Sequence, residues 1–239
     1  MPLKKNILSA RWVLIAILAF LTGVSALWAG DSAVFVDLGF SQDGRTYMFG
    51  QYGVLSPSLK PWAELYIVNM DTNNFAPDGR VTFTQDAAIK AGQDGSGVFY
   101  QLLNRNSSLV NRYRINNQNQ GQPLYISRNE SPPNSGETIG FRDFISGKSY
   151  KARVVPTITG SGQNTRSSFF IDLETRFPDG MTCKISVGNP QIVRQRVASY
   201  NINKVLIDTT GRSIIFVIET KRVAENGFDT RYMVEVVRF

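Results

Sequence analysis

Among its 239 residues the chain has no histidine and one cysteine, Cys183. The first absence removes the Ser-His-Asp and Cys-His arrangements of nucleophilic catalysis and every histidine-liganded metal site. Carboxylates, lysine and tyrosine can still do acid–base work, so catalysis loses its commonest group and not its possibility. The second absence excludes an internal disulfide. In "GMTCKISVG", Cys183, Ile185 and Val187 alternate with Thr182, Lys184 and Ser186, which predicts a thiol buried in a strand. No base or polarising neighbour of a nucleophilic thiol can be identified. No set of residues points to a cofactor or a metal.

Acid is missing from the first thirty residues. Lys4, Lys5 and Arg11 precede the uncharged apolar run Trp12–Val24, small residues follow in "SALWAG", and the first acid is Asp31. This is the layout of a secretory signal peptide. Residues 1–29 are read as that signal, with cleavage after Ala29; Val24-Ser25-Ala26 offers a second usable site. The run falls short of the about 20 residues that cross a bilayer, although an uncleaved anchor extended to Gly30 approaches them. No cysteine near the cleavage site offers a lipid attachment point. The expected location is the periplasm or the medium, with membrane contact only through the signal before cleavage. Removing three of the 26 basic residues lowers the net charge from +7 to +4, and no block concentrates it. Arg105, Arg112 and Arg114 form the densest cluster, read as a solvated helix face, and nucleic-acid binding is not supported.

Residues 30–239 are read as a single secreted β-rich domain. From Ala33 to Phe83, "AVFVDLGF", "RTYMFGQYGV", "AELYIVNM" and "RVTF" are aromatic and β-branched and are punctuated by turn residues. "LSPSLKPW", Leu55 to Trp62, reads as a proline-bearing loop. In residues 96–115 the period changes: Phe99, Leu102, Leu103, Val110 and Tyr113 share one helix face, with Ser96 as N-cap. Residues 116–137 are rich in Asn, Gln, Pro and Gly and read as an exposed connection, interrupted by Leu124-Tyr125-Ile126, which docks on the body. Beyond Glu137 nearly everything alternates, and "IIFVI" is apolar on both sides, which predicts a central strand. The fold expected is mainly β, antiparallel sheets in a sandwich or meander with a short helical insert. The alternatives are α+β or a partial β-propeller.

Asp-Gly or its like recurs at Asp43-Gly44, Asp78-Gly79, Asp94-Gly95, Asp179-Gly180 and Thr210-Gly211. "FSQDGRTYMF", "AELYIVNMDTNNF" and "FAPDGRVTF" are similar to blade repeats of the TolB type. The leading residues Phe40, Phe75, Phe177 and Ile207 are spaced by 35, 102 and 30, whereas blades repeat at about 40 to 50, so hairpin chemistry is the better account. "FVDLGFSQDGRTYMFGQYGV", "VGNP" and "GRSIIFVIE" resemble an uncharacterised family of predicted secreted bacterial proteins with a domain of unknown function. The resemblance implies export and a common fold, and no activity or site residue.

Candidate sites are weak. Tyr52, Trp62 and Tyr66 could stack on sugar rings, Trp62 best of all from its proline loop. Asp172 and Glu174 share a strand face as a glycosidase pair might, among basic neighbours that suggest a solvated surface. Asp71, Asn73 and Asp78 offer oxygen ligands that calcium could use, but they lack EF-hand spacing and read as turn formers. The row Phe239, Val237, Glu235, Met233 and Arg231 raises an outer-membrane β-barrel, whose lipid face Glu235 interrupts. The expectation is an exported envelope protein acting as a non-catalytic binding module, its partner an envelope protein or glycan. The alternatives are an outer-membrane barrel or structural protein and, more distantly, a carboxylate-based glycan hydrolase.

Overall fold

A computed structural model describes residues 30–90, 92–128, 136–225 and 227–239. The expected signal peptide lies outside them. Strands β1 (Val34–Ser41), β2 (Thr46–Leu55), β3 (Lys60–Asn69) and β4 (Asn74–Thr84) come first. Helices α1 (Ser96–Arg105) and α2 (Ser107–Arg112) then precede β5 (Ile115–Asn116) and β6 (Gln122–Ile126). Next come β7 (Thr138–Arg142), β8 (Ser149–Thr159), β9 (Arg166–Arg176), β10 (Thr182–Val187) and β11 (Arg194–Gln195). The last three are β12 (Val197–Ile207), β13 (Ser213–Ala224) and β14 (Gly227–Arg238). They pair into three antiparallel sheets: β4-β3-β2-β1-β5, then β10-β9-β8-β7 with β11 beside β9, then β14-β13-β12-β6.

The third sheet is the middle layer. Successive side chains of a strand point to opposite faces, so burial on both sides demands an unbroken apolar run. Residues Ile214 to Ile218 supply it, and all five are fully buried. Ile214, Phe216 and Ile218 pack with Phe169, Ile171 and Leu173 of the second sheet. Ile215 and Val217 pack with Phe40, Phe49 and Val68 of the first. The far face of the first sheet is covered in turn, Met48, Leu65 and Ile67 meeting Val98, Phe99 and Leu102 of α1. The mainly β sandwich expected from the sequence is the fold, and β13 is central between β14 and β12. The sheets stack in layers and not as radial blades, and none closes into a barrel among the described residues. Glu235 does not face lipid: it is buried where the layers meet. Ahead of β1, Ser32 pairs in parallel with Thr230, and the Thr230 N–H donates to the Asp31 carbonyl.

Departures from the expected elements have local causes. The helical insert breaks at Asn106, whose side-chain amide donates to the Leu102 carbonyl, and Ile115 passes into β5. Ser96 is the first helical residue and not the cap; Asp94 accepts from its N–H and hydroxyl. Asp78-Gly79 closes no hairpin. It lies within β4 at a bulge, where a Cβ on Gly79 would stand 2.7 Å from the carbonyl oxygens of Ala76 and Ile67. The proline loop is only a turn at 56–59, so Trp62 belongs to β3. Within the connection 116–137, Gln122–Ile126 is strand β6 against β12, with Leu124 and Tyr125 packed on the core. Cys183 is exposed, contrary to its pattern. It stands near the start of an edge strand, and burial on that face is complete only at Val187.

Candidate functional site

A cleft of about 830 Å³ opens where the three sheets meet, between β2–β4, β13–β14 and the loop from β10 to β11. On the first-sheet wall, pairing sets Gln51 opposite Glu64 and Phe49 opposite Tyr66. The Gln51 amide donates to Glu64 Oε2 at 2.7 Å, and the Tyr66 hydroxyl donates to the same oxygen at 2.6 Å. Gln51 Oε1 accepts the Tyr232 N–H at 2.8 Å, fastening this wall to β14. Burial, reinforced by the charge of Glu64, holds the Tyr66 phenol well above its ordinary value, so it stays a donor. Its ring is the middle of a stack, with Phe49 at 4.9 Å and Phe75 at 5.5 Å, and the Arg80 guanidinium stands 5.9 Å from its centre. Phe75 is 54% exposed, so the stack ends in a ring open to the cleft.

Glu235 of β14 forms the opposite wall. Asn73 Nδ2 donates to its Oε2 at 2.6 Å, and Arg194 Nη2 donates to its Oε1 at 3.4 Å. Asn73 Oδ1 in turn accepts the Val236 N–H at 2.8 Å, from a left-handed turn position that asparagine tolerates. Asn73 comes from the β3–β4 turn, Arg194 from the second sheet and Glu235 from the third, so one carboxylate joins all three layers. Burial raises its pKa, and the Asn73 hydrogen bond and Arg194 charge offset this only in part. Gly188, from the "VGNP" segment, sits at φ +92°, and a Cβ there would come within 3.1 Å of Glu235 Oε2.

The cations of the cleft are unevenly matched. Arg231 pairs with Asp31 at 2.7 Å and covers the Trp62 ring at 4.1 Å, and Arg194 pairs with Glu235. Arg80 and Arg222 have no ion pair among the described residues. Arg222 is partly buried, and burial together with the charges of Arg231 and Arg196 lowers its hold on its proton. A guanidinium drawn partly out of water beside two others leaves a positive potential that Asp229 and Glu64 offset only in part. The site can therefore stack a ring against Phe75 and hold an anion on Arg80 and Arg222.

Of the sequence candidates, Tyr66 lines this cleft. Tyr52 instead packs toward the helix, 5.5 Å from the Phe99 ring, and Trp62 is buried, donating to Asp31 at 2.6 Å beneath Arg231. The three do not form one surface. Phe75 and Arg222 escaped the sequence reading because each enters the cleft through strand register, and Phe75 additionally through the β4 bulge. Elsewhere, Asp172 pairs with Arg153 at 3.6 Å and Glu174 with Lys184 at 3.1 Å, on the solvent side of the second sheet. Asp71, Asn73 and Asp78 diverge to Arg238, Glu235 and Arg112. Among the described residues no group of three His, Cys, Asp or Glu is placed to hold a metal ion, and no helix is long and apolar enough to cross a membrane.

Residues 48–238 match the model of the family described as predicted secreted protein (DUF2259), and the chain belongs to that family. No curated protein matches it.

Proposed function

We propose that this member of a secreted family is a non-catalytic binding module of the cell envelope that takes an acidic glycan in the cleft between its sheets. The leader-like residues 1–29 support export to the periplasm or the medium with cleavage after Ala29. The observation that carries the ligand class is the charge imbalance: Arg194 and Arg231 pair with Glu235 and Asp31, and Glu64 is held by Gln51 and Tyr66, while Arg80 and Arg222 have no ion pair among the described residues and share the cleft with an exposed ring. A sugar presents an apolar C–H face to Phe75, and its carboxylates match the planar fork of a guanidinium.

Calorimetric titration with an oligogalacturonate and with a neutral malto-oligosaccharide tests this. The acidic oligomer binds and is recovered uncut, and the neutral one does not bind. Arg222→Gln and Arg80→Gln each weaken binding about tenfold, equivalent to about 1.4 kcal/mol, and Phe75→Ala weakens it similarly. Equal binding of both oligomers, or of neither, overturns the ligand class. Shortening of the acidic oligomer overturns the non-catalytic reading.

A further inference from the structure

Away from the cleft, two hairpin ends of the second sheet carry large apolar side chains into solvent. In the β7–β8 turn Phe144 is 83% and Ile145 is 82% exposed, and in the β9–β10 turn Met181 is 64% exposed. The two turns are neighbours: Arg142 and Arg176 both lie opposite Ser149 in the strand register, and a Cβ on Gly147 would touch Pro178 at 3.3 Å.

The exposure is built in. Asp143, buried at the base of the turn, accepts the Ile145 N–H at 2.9 Å and bonds the Ser146 hydroxyl, and its own N–H donates to the Lys148 carbonyl at 3.0 Å. Burial disfavours the Asp143 charge, but the hydrogen bonds from Ser146 and Ile145 outweigh it and keep the carboxyl below its ordinary value, so the turn stays ionised and locked. Such an Asx turn cannot fold Phe144 and Ile145 back onto the sheet. Cations ring the base: Arg142 lies 5.9 Å from the Phe144 ring, Lys148 lies 5.4 Å from Phe177, and Arg176 is exposed. The exposed acid of these turns, Asp179, is engaged by the Met181 N–H.

We propose that this end of the second sheet is a membrane-docking tip. Phe144, Ile145 and Met181 enter the acyl boundary, while Arg142, Lys148 and Arg176 meet anionic headgroups. Apolar prongs above a basic collar match the cross-section of an anionic leaflet, acyl chains beneath phosphates. A recess of about 590 Å³ at the base, lined by Arg142, Arg176, Phe177 and Pro178, includes none of Phe144, Ile145 and Met181. A peptide seated there leaves the prongs uncovered, whereas a fluid surface can close around them. The sequence places membrane contact in the leader alone; the tip adds a second, independent of the cleft.

Flotation with phosphatidylglycerol-containing and with pure phosphatidylcholine vesicles tests it, using the full exported chain and the double variant Phe144→Ser, Ile145→Ser. The chain floats with anionic vesicles, salt weakens this, and the double variant partitions about tenfold less while its melting temperature is unchanged. Phe144→Trp adds a reporter at the tip to the buried Trp62: its emission shifts to the blue on anionic vesicles, and that of the unaltered chain does not. Unchanged emission, or equal flotation of the double variant, overturns the proposal. Capture of a protein by the tip without vesicle binding overturns it in favour of a protein partner.

Discussion

At the scale of single residues, Glu235 concentrates the argument. Its carboxylate is buried, yet it is satisfied from two other sheets. Removing it leaves Asn73 and Arg194 without their acceptor, so Glu235→Ala costs about 3 kcal/mol in denaturant unfolding. Glu235→Gln keeps the shape and changes the pH dependence. The pKa in the folded protein lies above the ordinary 4.5, so the folded state holds this proton more tightly than the unfolded chain does. That contribution is complete below 4.5 and is lost as pH rises through the raised folded value. Unfolding free energy measured across this window declines less steeply for Glu235→Gln than for the unaltered chain. Part of this was legible: a lone acid in an alternating apolar strand stands out. Its partners were not, because Asn73 lies 162 positions away and Arg194 41, and only the stacking of sheets brings them together. Trp62 was misplaced for a related reason, since two prolines look like a loop until the pairing of β3 is known.

Among the elements, strands were read well because alternation is a local signal that tertiary packing reinforces. Bulges and edges were not, because both are properties of a partner strand: Asp78-Gly79 has the composition of a hairpin, and Cys183 the period of a core residue. The loop from β10 to β11 shows what register alone can require. Gly188 needs both its left-handed backbone and its empty Cβ position, whereas Gly211, at φ +70°, has open space around it. Gly211→Ala therefore pays only the conformational cost, about 1–2 kcal/mol. Gly188→Ala destabilises by more, because it also pushes on Glu235, and the difference between the two unfolding free energies isolates that contact. Equal losses would mean that the Glu235 carboxylate moves aside freely.

For the whole molecule, the shared middle sheet decides cooperativity. Ile215 faces the first sheet and Phe216 the second, from adjacent positions of one strand. With the leader removed, Trp62 in the first sheet is the single tryptophan. Phe216→Ala, although it opens a cavity on the second-sheet side, moves the Trp62 fluorescence transition to lower denaturant as Ile215→Ala does, the unfolding free energy falling by about 3–5 kcal/mol for the first and about 2–5 kcal/mol for the second. A Trp62 transition indifferent to Phe216→Ala would divide the chain into two units. The same arrangement has a meaning in time. The outer sheets are made from residues 34–116 and 138–195, but the layer between them is made chiefly from residues 197–238. On a ribosome or in a translocation channel, both outer layers emerge first, each with an apolar face and nothing to set against it. At about 5–20 residues per second, that interval lasts for seconds, long enough for such faces to find each other or a neighbouring chain. A holding factor that keeps the chain unfolded until residues 197–238 are free removes the hazard, because the last strands then arrive before any layer has had to wait alone.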